Sequence, residues 1–334
     1  MIGFYRKALP KVLAASLSVG IVSVSIISTG SLASTKEEAA KSSSRGSSQS
    51  STNASSASKA EPHTTPLRLI SLAPSNTELV YSLGGGKQLV AVSESCDFPS
   101  EAKRLEKVGN FSSIKMEKIA RLHPDLILLV SGQESLAAAM NKHGFHTVVL
   151  DNSSADKIGK NILQIGKICN NEKLAQRLAS SFDESINKLQ KLTKAQAKTP
   201  RVLICVWPQP LMSAGKSSFM NEGVTISGGT NCTGDLPQPY PRVNPERLLL
   251  LHPDLILIPH ELANDKFWTK SPWTSMTAIK ENHLYVLPQH ETDCLIRPTL
   301  RFVDALYWLS LKLHPELKKQ LEEWKRDTIH QLGV

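Results

Sequence analysis

Leu122-His-Pro-Asp-Leu-Ile-Leu128 recurs as Leu251-His-Pro-Asp-Leu-Ile-Leu257, an offset of 129 residues. The register extends upstream. Ile119 to Leu122 fall on Leu248 to Leu251, Glu117 falls on Glu246, and Phe111 falls on Tyr240. The repeated stretch describes a short helix, a proline-fixed turn and a buried strand. Pro124 and Pro253 fix φ and withhold an N–H where the helix has ended. Asp125 and Asp254, polar at a strand start, read as turn and capping residues rather than catalytic ones. His123 and His252 sit at the same place in different halves, so they do not read as joint metal ligands. A motif written twice predicts two lobes of like fold, with a small-ligand cleft between them.

Working outward, residues 67–154 carry the pattern of the first lobe. Strands are predicted at Arg68–Leu72, Leu89–Ser93, Asp125–Val130 and His146–Leu150. A helix follows Ser75 or Asn76, and another covers Gln133–His143. Short apolar runs alternating with helical stripes argue for an α/β fold with mainly parallel sheets covered on both faces. Residues 155–199 form a linking helical segment. Its stripe runs through Ile158, Ile162, Ile165, Leu174, Leu178, Phe182, Ile186 and Leu189, with a turn signal at Cys169-Asn-Asn-Glu172. Residues 200–334 form the second lobe. Strands are predicted at Arg201–Trp207, Leu255–Ile258 and Leu284–Leu287, and helices at Ser218–Ile226, Thr299–Lys312 and Pro315–His330.

The amino end reads as an export segment. Arg6, Lys7 and Lys11 precede an uncharged run from Val12 to Thr29, and Ser31-Leu32-Ala33 suits cleavage after Ala33. Residues 1–33 are therefore expected to be a signal peptide or an N-terminal membrane anchor. No cysteine follows to carry a lipid. Residues 34–66, rich in Ser, Ala, Thr and Lys, read as a disordered linker, and Asn53-Ala54-Ser55 fits a glycosylation sequon. The chain of 334 residues has a formal charge of +9, but its lysines are scattered, which argues against a nucleic-acid partner. The five cysteines form no CxxC pair. One or two disulfides are open in an oxidising compartment.

Phosphate-loop, dinucleotide, zinc-protease and nucleophile-elbow motifs are absent from the sequence. His290, Asp293 and Cys294 cluster near Arg297, yet no nucleophile, base and orienter can be assembled from them. They supply the rival reading, a two-lobed metal-dependent enzyme. The preferred reading is not an enzyme, with no catalytic residue, no cofactor and no metal site. Phe111 and Tyr240 are expected to face one another across the cleft. Glu117 and Glu246 project from equivalent helix starts, which suits a partner with two basic pockets.

With these features the chain resembles the periplasmic binding proteins of vitamin B12 and iron-siderophore ABC importers, over about residues 67–312, and most of all their cobalamin-binding branch. Arg68-Leu-Ile-Ser-Leu-Ala-Pro-Ser-Asn-Thr-Glu78, Ser95-Cys-Asp-Phe-Pro99 and Val108-Gly-Asn-Phe111 look like that family's first strand and its pocket loops. The resemblance implies two Rossmann-like lobes joined by a long rigid helix, and delivery of cobalamin or a related corrinoid to a permease dimer with its ATPase subunits. It implies permease docking by Glu117 and Glu246. Phe98, Phe111 and Tyr240 become pocket aromatics, with Trp207 a further flat face. Arg297, in a late loop, is expected to contact a propionamide or a siderophore oxygen. Phe111 and Tyr240 stand where tryptophan is found in known cobalamin binders, so haem and iron-siderophore stay open as ligands. Location is expected to be periplasmic or otherwise extracytoplasmic, free or tethered.

Overall fold

Apolar runs of three to five residues, bounded by turns and buried along most of their length, form the strands of both halves. The structure, a computed structural model, describes residues 66–111, 113–271 and 273–333. The export segment, nearly all of the serine-rich linker and the Asn53 sequon lie outside the described residues.

In the first lobe the strands are β1 (Leu69–Ser71), β2 (Leu89–Val92), β3 (Glu106–Lys107), β4 (Gly109–Asn110), β5 (Ser113–Ile114), β6 (Leu126–Val130) and β7 (Thr147–Leu150). Five of them form a parallel sheet in the order β3-β2-β1-β6-β7, and β4 and β5 make a small antiparallel hairpin. The helices are α1 (Pro74–Ser82), α2 (Met116–Arg121) and α3 (Glu134–Lys142). Two helices follow, α4 (Ala155–Ile168) and α5 (Glu172–Lys194).

The second lobe has β8 (Arg201–Pro208), β9 (Leu211–Ser213), β10 (Thr230–Asn231), β11 (Leu255–Ile258) and β12 (Leu284–Val286). Its sheet runs β10-β8-β11-β12, all parallel, with β9 antiparallel on β8. Its helices are α6 (Phe219–Ile226), α7 (Pro245–Leu250), α8 (Thr277–Lys280), α9 (Gln289–Ile296), α10 (Phe302–Leu313) and α11 (Lys318–Leu332). The pairing Ile70↔Ile127 in the first sheet has its counterpart in Leu203↔Ile256 in the second. This is the two-lobed α/β architecture expected from the repeat.

Side chains alternate across each sheet, and the alternation sorts the core. Ile70, Ala91, Ile127 and Leu129 face a core belonging to the first lobe. Leu203, Cys205, Ile256 and Ile258 face one belonging to the second. The opposite faces, Leu69, Val92 and Leu128 in one lobe and Val202, Ile204 and Leu257 in the other, join a single core with α4, α5, α10 and α11. The lobes therefore share continuous apolar packing.

The repeated motif is a buckle made twice. The Arg68 N–H donates to Asp125 Oδ2 at 2.7 Å, and the Arg201 N–H donates to Asp254 Oδ2 at 2.7 Å. Arg68 Nη2 donates to the Leu122 carbonyl at 2.7 Å, and Arg201 Nη2 donates to the Leu251 carbonyl at 2.8 Å. His123 (φ 45) and His252 (φ 44) take the left-handed conformation that ends the preceding helix. The aspartates tie the first strand of each lobe to its neighbour.

The linking segment turns where the Cys169-Asn-Asn-Glu172 signal lies. Asn170 (φ 56) turns the chain, and a methyl group placed on Gly166 would fall 2.2 Å from Ala175 Cβ, so the two helices touch there. Within the hairpin α5 is the long element, 23 residues, or about 34 Å. The late loop expected around Arg297 is shortened by helix α9, which runs up to it and which Thr292, Cys294 and Leu295 pin to the core. All five cysteines are buried and free, so no disulfide forms.

Candidate functional site

Helix α1 buries Ser75, Asn76, Thr77 and Glu78 in succession. Buried polar groups need partners, and here they are drawn from several elements. Asn76 Nδ2 donates to the Leu129 carbonyl at 2.9 Å, and Ser75 Oγ accepts from Asn152 Nδ2 at 3.0 Å. Glu78, 3% exposed, finds its partners in the other lobe. It accepts from Arg297 Nη1 at 3.1 Å, Thr299 Oγ1 at 3.1 Å, Arg301 Nε at 3.0 Å and Arg301 Nη2 at 2.7 Å. Arg297 also donates to Asp97 at 2.7 Å and to Asp293 at 3.1 Å. The Arg301 guanidinium carbon lies 3.8 Å from the centre of the Phe98 ring, a cation–π contact.

Two arginines of the second lobe thus meet two carboxylates of the first, Glu78 and Asp97, and a third from their own lobe, Asp293. Burial opposes the charge on Arg297. The hydrogen bond to Asp97 and the charges of Asp293, Asp97 and Glu78 outweigh it and raise its pKa above the ordinary arginine value. Burial pushes the Asp293 carboxyl up, with Arg297 pulling the other way. The network ties the lobes together by a few well-placed charges, in addition to their common core.

The residues singled out by sequence fall around this joint or apart from it. Phe98, 43% exposed, covers the joint. Arg297 differs from expectation. It is 5% exposed, and its polar contacts go to Glu78, Asp97 and Asp293 rather than outward toward a ligand. Phe111 is half-buried beside the β4–β5 hairpin. Trp207 is half-buried near the end of β8, where its indole N–H donates to the Gln209 carbonyl at 2.9 Å. Tyr240 packs on the shared core, and burial pushes its phenol pKa up. Among the described residues no stacked ring pair joins Phe111, Trp207 and Tyr240. A groove of about 160 Å³ between α5 and α11, lined in part by Ser185, Leu192 and Trp324, contains none of these residues.

Glu117 and Glu246 are both exposed, in the first turns of α2 and α7. There a carboxylate also complements the helix dipole. Asn244 caps α7, accepting the Arg247 N–H at 2.8 Å, and Asp235 holds the Arg247 guanidinium at 2.6 Å.

Glu78, Asp97, Thr299 and Arg301 were not singled out as functional from sequence. The available signal was Arg297-Pro-Thr-Leu-Arg301, two cations just ahead of a strongly apolar helix, together with a glutamate on a helix otherwise destined for the core. Neither segment names its partner, because 219 residues separate Glu78 from Arg297.

Two α/β lobes on a common core, with a charged joint between them, define a two-lobed binding fold. Residues 69–291 match the model of the periplasmic binding protein family, and the chain belongs to that family. The vitamin B12-binding protein of Vibrio vulnificus (strain YJ016) is 32% identical over 243 residues, covering 72% of this chain and 87% of its own. That of Pectobacterium carotovorum subsp. carotovorum (strain PC1) is 35% identical over 214 residues, 62% of this chain and 77% of its own. The crystal structure of the periplasmic vitamin B12-binding protein of Vibrio cholerae superposes with a TM-score of 0.67 at 30% identity, covering 74% of this chain and 97% of that one. A periplasmic haem-binding protein from Roseiflexus sp. RS-1 shares the fold, with a TM-score of 0.67 at 21% identity over 75% of this chain and 99% of that one. Three of these relatives are vitamin B12-binding proteins and one is a haem-binding protein. Among the described residues no helix is long and apolar enough to cross a membrane.

Proposed function

We propose that this protein captures a corrinoid of the cobalamin type between its lobes and delivers it to an ABC permease dimer driven by ATPase subunits. The observation that carries this reading is the extended identity to vitamin B12-binding relatives, which runs through both lobes rather than one motif. Phe98, Phe111, Trp207 and Tyr240 are the ligand-facing aromatics. Each offers a rigid apolar face suited to a flat macrocycle at little entropic cost. Arg297 acts one step back from the ligand: with Arg301 and Glu78 it sets the distance between the walls. The shared core and charged joint suit a cleft that closes by a small adjustment.

Glu117 and Glu246 are the two docking feet. Their equivalent helix-start positions and their exposure support recognition by a pseudo-twofold partner with two basic pockets. The protein works outside the cytoplasm, free or held by its amino-terminal segment.

Equilibrium titration of the purified protein with cyanocobalamin tests the ligand assignment. Saturable binding at roughly one ligand per chain is expected. Parallel titrations with haemin and a ferric siderophore separate the alternatives. Binding of either of those, with none of cyanocobalamin, overturns the corrinoid reading.

A further inference from the structure

Beside the Glu78 joint, α9 and α10 bring three donor side chains together. His290 and Cys294 are four residues apart on α9, so they share one face of it. Asp304, in the first turn of α10, meets them there. His290 Nε2 lies 2.8 Å from Asp304 Oδ2 and 3.6 Å from Cys294 Sγ. The three donor atoms all lie within 4.8 Å of one another. Asp293, next to Cys294 in sequence, turns instead to Arg297.

We propose that His290, Cys294 and Asp304 form a site for a borderline divalent cation of the zinc type. In a tetrahedral zinc site, bond lengths of about 2.3 Å to sulfur and about 2.0 Å to nitrogen and oxygen separate S from N by roughly 3.5 Å and N from O by roughly 3.3 Å. The sulfur–nitrogen spacing here already has that value. The nitrogen–oxygen spacing needs to open by about 0.5 Å, within reach of a rotamer adjustment of the exposed histidine. One thiolate, one neutral imidazole and a carboxylate shared with Lys325 supply the three donors. This mixed donor set also disfavours magnesium and calcium, which prefer oxygen alone.

The surroundings fit the assignment. Lys325 Nζ pairs with Asp304 Oδ1, the oxygen that the histidine does not use, so the carboxylate is oriented and Oδ2 is left to face the site. The cations nearby, Lys325 and Arg301, are each matched by an acid, Asp304 and Glu78. Cys294 is fully buried, whereas the His290 side chain is 51% exposed. A cation would enter from the histidine side and keep a fourth position open to water. Bound there, it ties α9 to α10 within two turns of the arginines that join the lobes.

The test is titration of the purified full-length chain with Co²⁺, followed by competition with Zn²⁺. A saturable near-ultraviolet thiolate-to-cobalt charge-transfer band at one metal per chain is expected. Cys294→Ser abolishes the band, and His290→Ala weakens Zn²⁺ at least about tenfold with the far-ultraviolet circular dichroism unchanged. His290 is exposed, so that variant folds even if a change at Cys294 does not. Absence of the charge-transfer band in the unmodified chain overturns the proposal, as does full Zn²⁺ affinity in His290→Ala.

Discussion

Replacing Glu78 by alanine removes the carboxylate that Arg297, Thr299 and Arg301 share. The consequences for the two arginines differ. Arg297 keeps Asp97 and Asp293. The Nε and Nη2 groups of Arg301 both donate to Glu78, and without it this residue, 9% exposed, retains mainly its stack on Phe98. Removing one partner of a buried ion pair costs about 3–5 kcal/mol, because the remaining charge stays desolvated. The lower end applies here, since one of the two arginines is still paired. For a domain of this size about 3 kcal/mol corresponds to a fall in Tm of roughly 6–12 °C. Raising the salt concentration should leave the difference almost unchanged, because buried pairs are poorly screened.

Thermal unfolding by circular dichroism measures the shift. Glu78→Gln, which keeps the side-chain volume, separates loss of charge from loss of packing. A double-mutant cycle with Arg301→Met then isolates the pair. The double variant should be less destabilised than the sum of the singles, by about 0.5–3 kcal/mol. A Tm for Glu78→Ala within about 2 °C of the parent, or strict additivity in the cycle, would refute the view that these charges join the lobes.

Other changes probe the hairpin, the lobe contact and the docking proposed for Glu117 and Glu246. Glycine to alanine inside a helix ordinarily stabilises by up to about 1 kcal/mol. Gly166→Ala should instead destabilise by about 1–3 kcal/mol, since its methyl meets Ala175 Cβ; a higher denaturation midpoint would contradict the close packing of α4 on α5. Glu222 Oε2 accepts the Ala155 N–H at 2.5 Å, and burial pushes its carboxyl pKa above the free value of 4.5, with the Ala155 hydrogen bond pulling the other way. With the folded pKa raised, the folded state holds its proton longer than the unfolded chain, so this group disfavours folding as pH rises from that free value through the folded pKa. Glu222→Gln should therefore gain most relative to the parent near neutral pH and lose that advantage toward about pH 4; a difference in Tm independent of pH would contradict the assignment. Glu117→Ala with Glu246→Ala should leave cyanocobalamin binding intact and weaken the permease complex tenfold or more, about 1.4 kcal/mol; unchanged stimulation of the transporter's ATPase would exclude docking by these residues.

Sequence alone determined the two-lobed plan. The repeated Leu-His-Pro-Asp-Leu-Ile-Leu stretch, the short apolar runs and the linking stripe are local patterns, because strand and helix periodicity is imposed over a few residues. The same locality explains the buckles at Asp125 and Asp254, each closed within its own lobe. It also explains the exposed helix-start positions of Glu117 and Glu246. Tertiary structure decided the pairings. Folding the linker back at Asn170 packs α4 on α5 and merges one face of each sheet into a common core. Burying α1 against the second lobe makes Glu78 the partner of Arg301 and turns Arg297 onto Glu78, Asp97 and Asp293. Seating α9 on α10 exchanges Asp293 for Asp304 beside His290 and Cys294. These choices depend on which distant charge is available when water is removed, and separation along the chain carries no record of that.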